Sequence, residues 1–276
     1  MFAKRVASSA VLIAVAVLSV WFSHGPWAIL SYGVAALLAI AALEEYYGLL
    51  AARGMRPWTR SGGAAAAVYL AAVFVDCAAP GMLPRPVEHA AAGAILAWLL
   101  ARLAFERDAR VALPAFAGVV SGLVYIAGPW SFIFRILYHP PADGRWLIFA
   151  LFLIVKGGDI LAYLVGKAVG RHKLIPRVSP GKTWEGAAAN LAGGVAGGVA
   201  AWGLFPCGLT LPRALLLGAV LSAAGQAGDL AESAMKRGAG VKDSGGFIPG
   251  MGGILDVVDS LLLALPAMYI LTPGAW

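Results

Sequence analysis

Apolar runs of about the twenty residues that a helix needs to cross a bilayer recur nine times along this 276-residue chain. They cover approximately residues 6–22, 27–50, 64–82, 88–104, 111–134, 146–168, 185–205, 212–235 and 253–272. Hydrocarbon offers no partner to a backbone N–H or C=O, so each run must satisfy its own hydrogen bonds as a helix. The runs therefore predict an all-α, polytopic membrane protein of about nine transmembrane helices. Composition excludes a water-soluble core: 13% of residues are charged, against about 25% in soluble domains, and the mean hydropathy is +0.81. The first run, Val6 to Trp21, has no small-x-small cleavage site at its end and is read as a retained span. Short loops marked by Gly25-Pro26, Pro80-Gly81, Pro140-Pro141 and Pro206 join the runs. With no long polar linker and no strict repeat, residues 1–276 are expected to form a single membrane-embedded domain, in which 1–145 are N-terminal transmembrane helices. Cys77 and Cys207 provide neither a metal spacing nor a disulfide framework.

Basic residues orient the bundle. With the N-terminus cytoplasmic, sixteen of the twenty-one Lys and Arg fall in loops on the cytoplasmic side and four on the other, leaving Lys156 within a span. The net charge of +7 then reflects loops facing anionic headgroups rather than nucleic acid. The two most charged loops, 167–183 and 236–252, share the cytoplasmic face, where nucleotides are found. A multi-pass protein of the inner (cytoplasmic) membrane, its active site facing the cytoplasm, is expected.

Five of the fourteen carboxylates crowd between Gly228 and Ser260: Asp229, Glu232, Asp243, Asp256 and Asp259. Charge beside membrane helices is costly and marks a functional site. Asp256 and Asp259 are three residues apart, share a helix face and sit where the helix dipole favours anions. Two such carboxylates can bind Mg²⁺ through oxygen and leave positions for water and phosphate. Asp229, Ser233, Lys236 and Arg237 fall at i, i+4, i+7 and i+8 on one helical stripe, with Glu232 flanking it. That stripe can bridge a metal and a phosphate, or it can hold an intrahelical pairing of Asp229 and Glu232 with Lys236. Lys242-Asp243 and the glycines of 244–253 follow, and amides of such a loop can face an anion.

In the loop 170–186, Gly181-Lys182-Thr183 looks like the end of a P-loop, but Pro176 stands where that motif needs glycine. What remains is a cationic cluster of Arg171, Lys173, Arg177 and Lys182, suited to phosphates or lipid headgroups. Lys156 and Asp159 form an intramembrane ionisable pair. Gly193, Gly194, Gly197 and Gly198 form small-xxx-small pairs that permit close helix packing, within the chain or in a homodimer.

Ser233-Ala-Met-Lys-Arg237, Lys242-Asp243, Pro249-Gly-Met-Gly-Gly253 and Asp256-Val-Val-Asp259 together resemble the signature of the CDP-diacylglycerol synthase (phosphatidate cytidylyltransferase) family. That pattern runs S-x-x-K-R, K-D, P-G-H-G-G, D-R-x-D. Residues 159–170, 179–186 and Gly228-Asp229-Leu230 are similar too, so the likeness covers about 156–263 and makes 146–276 the catalytic half. Met251 and Val257 stand where the family usually has His and Arg, and neither is assigned a role.

The resemblance implies that CTP and phosphatidate give CDP-diacylglycerol and pyrophosphate, for phospholipid biosynthesis. It implies Asp229, Asp256 and Asp259 as ligands of Mg²⁺; whether a second, monovalent cation joins is left open. Catalysis would rest on these aspartates with Lys236 and Arg237. Ser233, Lys242 and, more weakly, Asp243 would bind substrate, and Lys182 and Arg177 the lipid phosphate. Two alternatives stand beside this reading. A CTP-dependent polyprenol or lipid kinase resembles the family in its nucleotide-binding half, and a transporter would also carry charge in broken helices. The D-G-x-x-A-R run of CDP-alcohol phosphatidyltransferases is absent from the sequence.

Overall fold

Helices begin and end close to the limits that hydropathy sets in the computed structural model, which describes residues 2–82, 86–138, 143–248, 250 and 252–272. Arg85, Pro140, Pro141, Pro249 and Met251 therefore lie outside the described residues. The elements in order are α1 (Phe2–Trp21), α2 (Ala28–Ala52), α3 (Thr59–Ala78), α4 (Val87–Phe105), α5 (Ala109–Gly122), α6 (Gly128–Tyr138) and α7 (Gly144–Val169). A hairpin of β1 (Lys173–Ile175) and β2 (Ser179–Thr183) follows, then α8 (Trp184–Leu204), α9 (Leu211–Ala239) and α10 (Leu255–Leu271).

By length and composition, seven helical segments among the described residues are able to cross a membrane. The apolar stretch Ala10–Trp21 of α1 and the 17-residue α10 are shorter. Large apolar side chains face outward along the spans, among them Leu37 at 69%, Val124 at 70% and Ile160 at 60% exposure. Such surface needs a hydrocarbon solvent, and the protein is a multi-pass membrane protein.

Two local features depart from simple helices. The run expected at 111–134 is α5 and α6 joined by a π-turn at Leu123–Ala127. Pro129 has no N–H to give the carbonyl four residues back, so the ladder widens there. The second is the antiparallel hairpin, in which Lys173 faces Thr183 and Ile175 faces Ser179. Pro176 and Pro180 keep this charged segment from continuing α7 as a helix.

The chain divides into two compact units, one of Met1–Arg135 with Gly238–Val257 and one of Ile136–Arg237 with Val258–Trp276. In the first, Tyr47 is 1% exposed and donates to the Val119 carbonyl at 3.4 Å. Gly62 and Gly122 leave the space its ring fills. Asp76 accepts from the amides of Val87 and Glu88 at 2.9 and 2.7 Å and so caps α4.

Glycine sets helix spacing in the second unit. Gly193 and Gly197 meet α7 at Leu161 and Ile154, and Gly194 and Gly198 meet α9 at Ser222, Gly218 and Ala214. All four glycines of the small-residue stripe are thus used within this unit. A Cβ on Gly218 would lie 2.6 Å from both the Gly194 carbonyl oxygen and Val195 Cα. Gly218→Val is therefore expected to destabilise the protein by about 1–3 kcal/mol through overpacking, read as a lower thermal midpoint in detergent. An unchanged midpoint would show that α8 and α9 do not need this close approach.

Candidate active site

Asp229 and Glu232 of α9 and Asp259 of α10 converge, one oxygen from each lying within 4.8 Å of the other two. The approach is made possible by Gly228, where any Cβ would strike the Asp259 carbonyl, and by Gly225, which faces the Ser260 backbone. Glu232 is 0% and Asp259 6% exposed. Three carboxylates this close repel one another and are tolerated only with compensating cations. Two are supplied by the unit itself: Lys182 Nζ lies 2.7 Å from Asp229 Oδ2, and Lys236 pairs with Glu232. Asp259 accepts from the Ser260 amide at 2.5 Å. Among the described residues it makes no ion pair. An all-oxygen donor set of three carboxylates, two of them buried, fits a hard divalent ion such as Mg²⁺.

The hairpin is held along α9 at two points two turns apart. Lys182 reaches Asp229, and Arg237 Nε donates to the Val178 carbonyl at 3.2 Å. Thr183 starts α8 by accepting from the Gly186 amide at 3.1 Å, an N-cap. Ser233 Oγ donates to Asp229 Oδ1 at 3.3 Å, and Arg177 is exposed in the hairpin turn. Deeper in the unit, Lys156 donates to Ser260 Oγ at 2.8 Å and lies 3.9 Å from Asp159. Asn190 donates to Asp159 at 3.1 Å, and Ser222 donates to the Asn190 carbonyl at 3.0 Å. Lys156 and Asp159 thus belong to a polar network spanning α7 to α10.

Asp256 belongs to the other unit and is not one of the three converging acids. Its Oδ2 accepts from the Ser244 amide at 3.0 Å, the Ser244 hydroxyl at 2.9 Å and the Gly253 amide at 2.7 Å. The glycine-rich loop does turn amides toward an anion, but that anion is a side chain of the chain itself. Gly252 has φ +103, and a Cβ there would sit 2.5 Å from Asp256 Oδ2, so both its backbone and its space require glycine. Lys242 and Asp243 are exposed at the start of this loop, and Val257 is half-buried on α10.

Two residues escaped the sequence reading as site candidates. Glu232 enters the sequence reading as a flank of the stripe and a partner of Lys236, although its i+3 spacing from Asp229 also puts both acids on one face. Glu45 of α2 accepts from the amides of Ile254 and Leu255 at 2.9 and 2.8 Å, and its carboxylate lies 3.0 Å from Ser244 Oγ. Its sole sequence signal is an acid inside an apolar run.

A cytidylyltransferase family model matches residues 3–273. A phosphatidate cytidylyltransferase of Pseudomonas aeruginosa is 34% identical over 247 residues, covering 85% of this chain and 89% of that protein. The phosphatidate cytidylyltransferase of Brucella abortus is 45% identical over 152 residues, 54% of this chain. One from Staphylococcus aureus is 44% identical over 152 residues, 50% of this chain. In these two matches the chain spans about half the length of the relative, 55% and 53%. The family match is not confined to the acidic segment but takes in the N-terminal spans as well, and on that extent the chain belongs to the cytidylyltransferase family.

Proposed function

We propose that this protein is a phosphatidate cytidylyltransferase of the cytoplasmic membrane, converting CTP and phosphatidate to CDP-diacylglycerol and pyrophosphate. The observation that carries the reading is the three-carboxylate group bordered by Lys182, Lys236 and Arg237, built on α10 and on α9, a helix long and apolar enough to cross a membrane. A phosphate oxygen of phosphatidate attacks the α-phosphorus of CTP. The bond from that phosphorus to the bridging oxygen breaks, and pyrophosphate leaves with the electron pair. The nucleophile is already an anion, so no general base is required, and the task is to hold two polyanions together.

Asp229, Glu232 and Asp259 would hold Mg²⁺, which when bound neutralises charge on the triphosphate and the departing pyrophosphate. Lys182 and Lys236 are kept extended toward this region by their carboxylate partners, ready to take phosphate oxygens. Arg237 is steadied by Val178, and Ser233 by Asp229. Lys242 and Arg177, both exposed, add cations for the nucleotide and the lipid phosphate, while the acyl chains stay in the bilayer. Asp256 acts on the loop that carries Lys242 and Asp243: three donors already satisfy its Oδ2. The sixteen-to-four split of basic residues supports a cytoplasmic N-terminus and a site open to the cytoplasm.

The test is a product assay with purified protein, labelled CTP, phosphatidate and Mg²⁺. CDP-diacylglycerol and pyrophosphate are the expected products. Release of CDP with a phosphorylated lipid alcohol would transfer the reading to a lipid kinase, and no turnover with phosphatidate would sink it.

A further inference from the structure

We infer that Glu45 is a positioning residue for nucleotidyl transfer, holding Ser244, Gly245, Gly253 and the first turn of α10 in their working shape. The inference rests on the proposed cytidylyltransferase reading, but Glu45 lies on α2, outside the 156–263 segment that carries the signature. Its carboxylate accepts from two backbone amides of the α10 start, Ile254 and Leu255 at 2.9 and 2.8 Å. It also lies 3.0 Å from the Ser244 hydroxyl, which is 2.9 Å from Asp256. One hydroxyl therefore sits between two carboxylates and donates to one of them at a time. Four amides, of Ser244, Gly253, Ile254 and Leu255, close the arrangement around them.

The glycines corroborate it. A Cβ on Gly245 would fall 2.5 Å from Glu45 Oε1, and one on Gly253 would overlap Glu45 Oε2. Two of the loop's glycines are thus small because this carboxylate fills the space beside them. The helix dipole and the unsatisfied amides of a first turn both favour an anion there. An acid within a membrane helix is expensive unless it is so used. Lys242 and Asp243 enter the same loop, and Asp259 follows one turn after Asp256 on α10. The geometry of the loop that follows Lys242 is set from a helix that the signature does not include.

Glu45→Gln keeps the size of the side chain but offers one acceptor oxygen and turns an NH₂ donor toward donors. The first measurement is backbone amide exchange in the intact detergent-solubilised protein. Peptides covering 244–256 should exchange about 10-fold faster or more in E45Q, with peptides of α7 to α9 unchanged. The second is steady-state kinetics. kcat/KM for CTP should fall about 10–100-fold, the worth of one or two charge-assisted hydrogen bonds, with KM for CTP rising more than KM for phosphatidate. Glu45→Asp, which keeps both oxygens on a shorter stem, should lie between E45Q and the parent in both readouts and serves if E45Q does not fold. Unchanged exchange at 244–256, exchange raised uniformly through the chain, or faster loop exchange with unaltered kcat/KM would each overturn the role. If the unmodified protein makes no CDP-diacylglycerol, the proposed function falls. The exchange arm then still decides whether Glu45 orders the loop.

Discussion

Asp259→Asn is expected to reduce kcat for CDP-diacylglycerol formation on the order of 10³-fold, the scale of losing a principal electrostatic element of a phosphoryl-transfer site, while the protein stays folded. Asp259 is 6% exposed and makes no ion pair among the described residues. Neutralising it strands no lysine, and it relieves repulsion from the nearby Asp229 and Glu232. The amide side chain retains an oxygen for the Ser260 amide. Thermal midpoint in detergent should therefore be equal to or above that of the parent. The rate is measured from initial velocities with labelled CTP, and binding of Mn²⁺ as a paramagnetic stand-in should weaken in parallel. A variant with the parent's kcat would remove Asp259 from the metal group. One that has lost both activity and its thermal transition would say that the residue is structural.

The hydropathy pattern located the helices because a membrane leaves a chain no other way to satisfy its backbone. It could not resolve the π-turn before Pro129, since a widened ladder has the same apolar side chains as a regular one. Nor could it find a hairpin whose strands are three and five residues long. At the site, Asp229 and Asp259 were legible because each is a carboxylate in an apolar run and has to be explained. The i, i+3 spacing of Asp256 and Asp259 correctly put both on α10, but spacing does not say what lies opposite each one. Asp256 bonds to the loop and Asp259 joins the α9 acids. Glu232 shows why competing sequence readings need not exclude each other: it pairs with Lys236 in its own helix and is also one of the three converging acids. Glu45 was out of reach. Its partners are 199 to 210 residues further along the chain, and no local pattern ties an acid on α2 to the start of α10.

The double role of Glu232 can be separated by experiment. Glu232→Gln removes the partner of Lys236, whose side chain is 13% exposed. Breaking a buried pair from one side should cost about 3–5 kcal/mol, with a matching fall in thermal midpoint. Adding Lys236→Met removes the cation of the pair and replaces it with an apolar chain of similar length. E232Q/K236M should regain most of the lost stability, since a buried ion pair exchanged for apolar groups is often neutral. Activity should not follow. If Glu232 holds the metal, both variants are expected to lose turnover on the order of 10²-fold or more, and the double variant loses a phosphate-binding cation as well. The discriminating quantity is thus turnover at matched stability, measured at a temperature where parent and double variant are equally folded. Recovery of turnover together with stability in the double variant would mean that Glu232 serves only to neutralise Lys236, and the metal group would reduce to Asp229 and Asp259. A single variant as stable as the parent would instead mean that other groups of the site compensate Lys236 without Glu232.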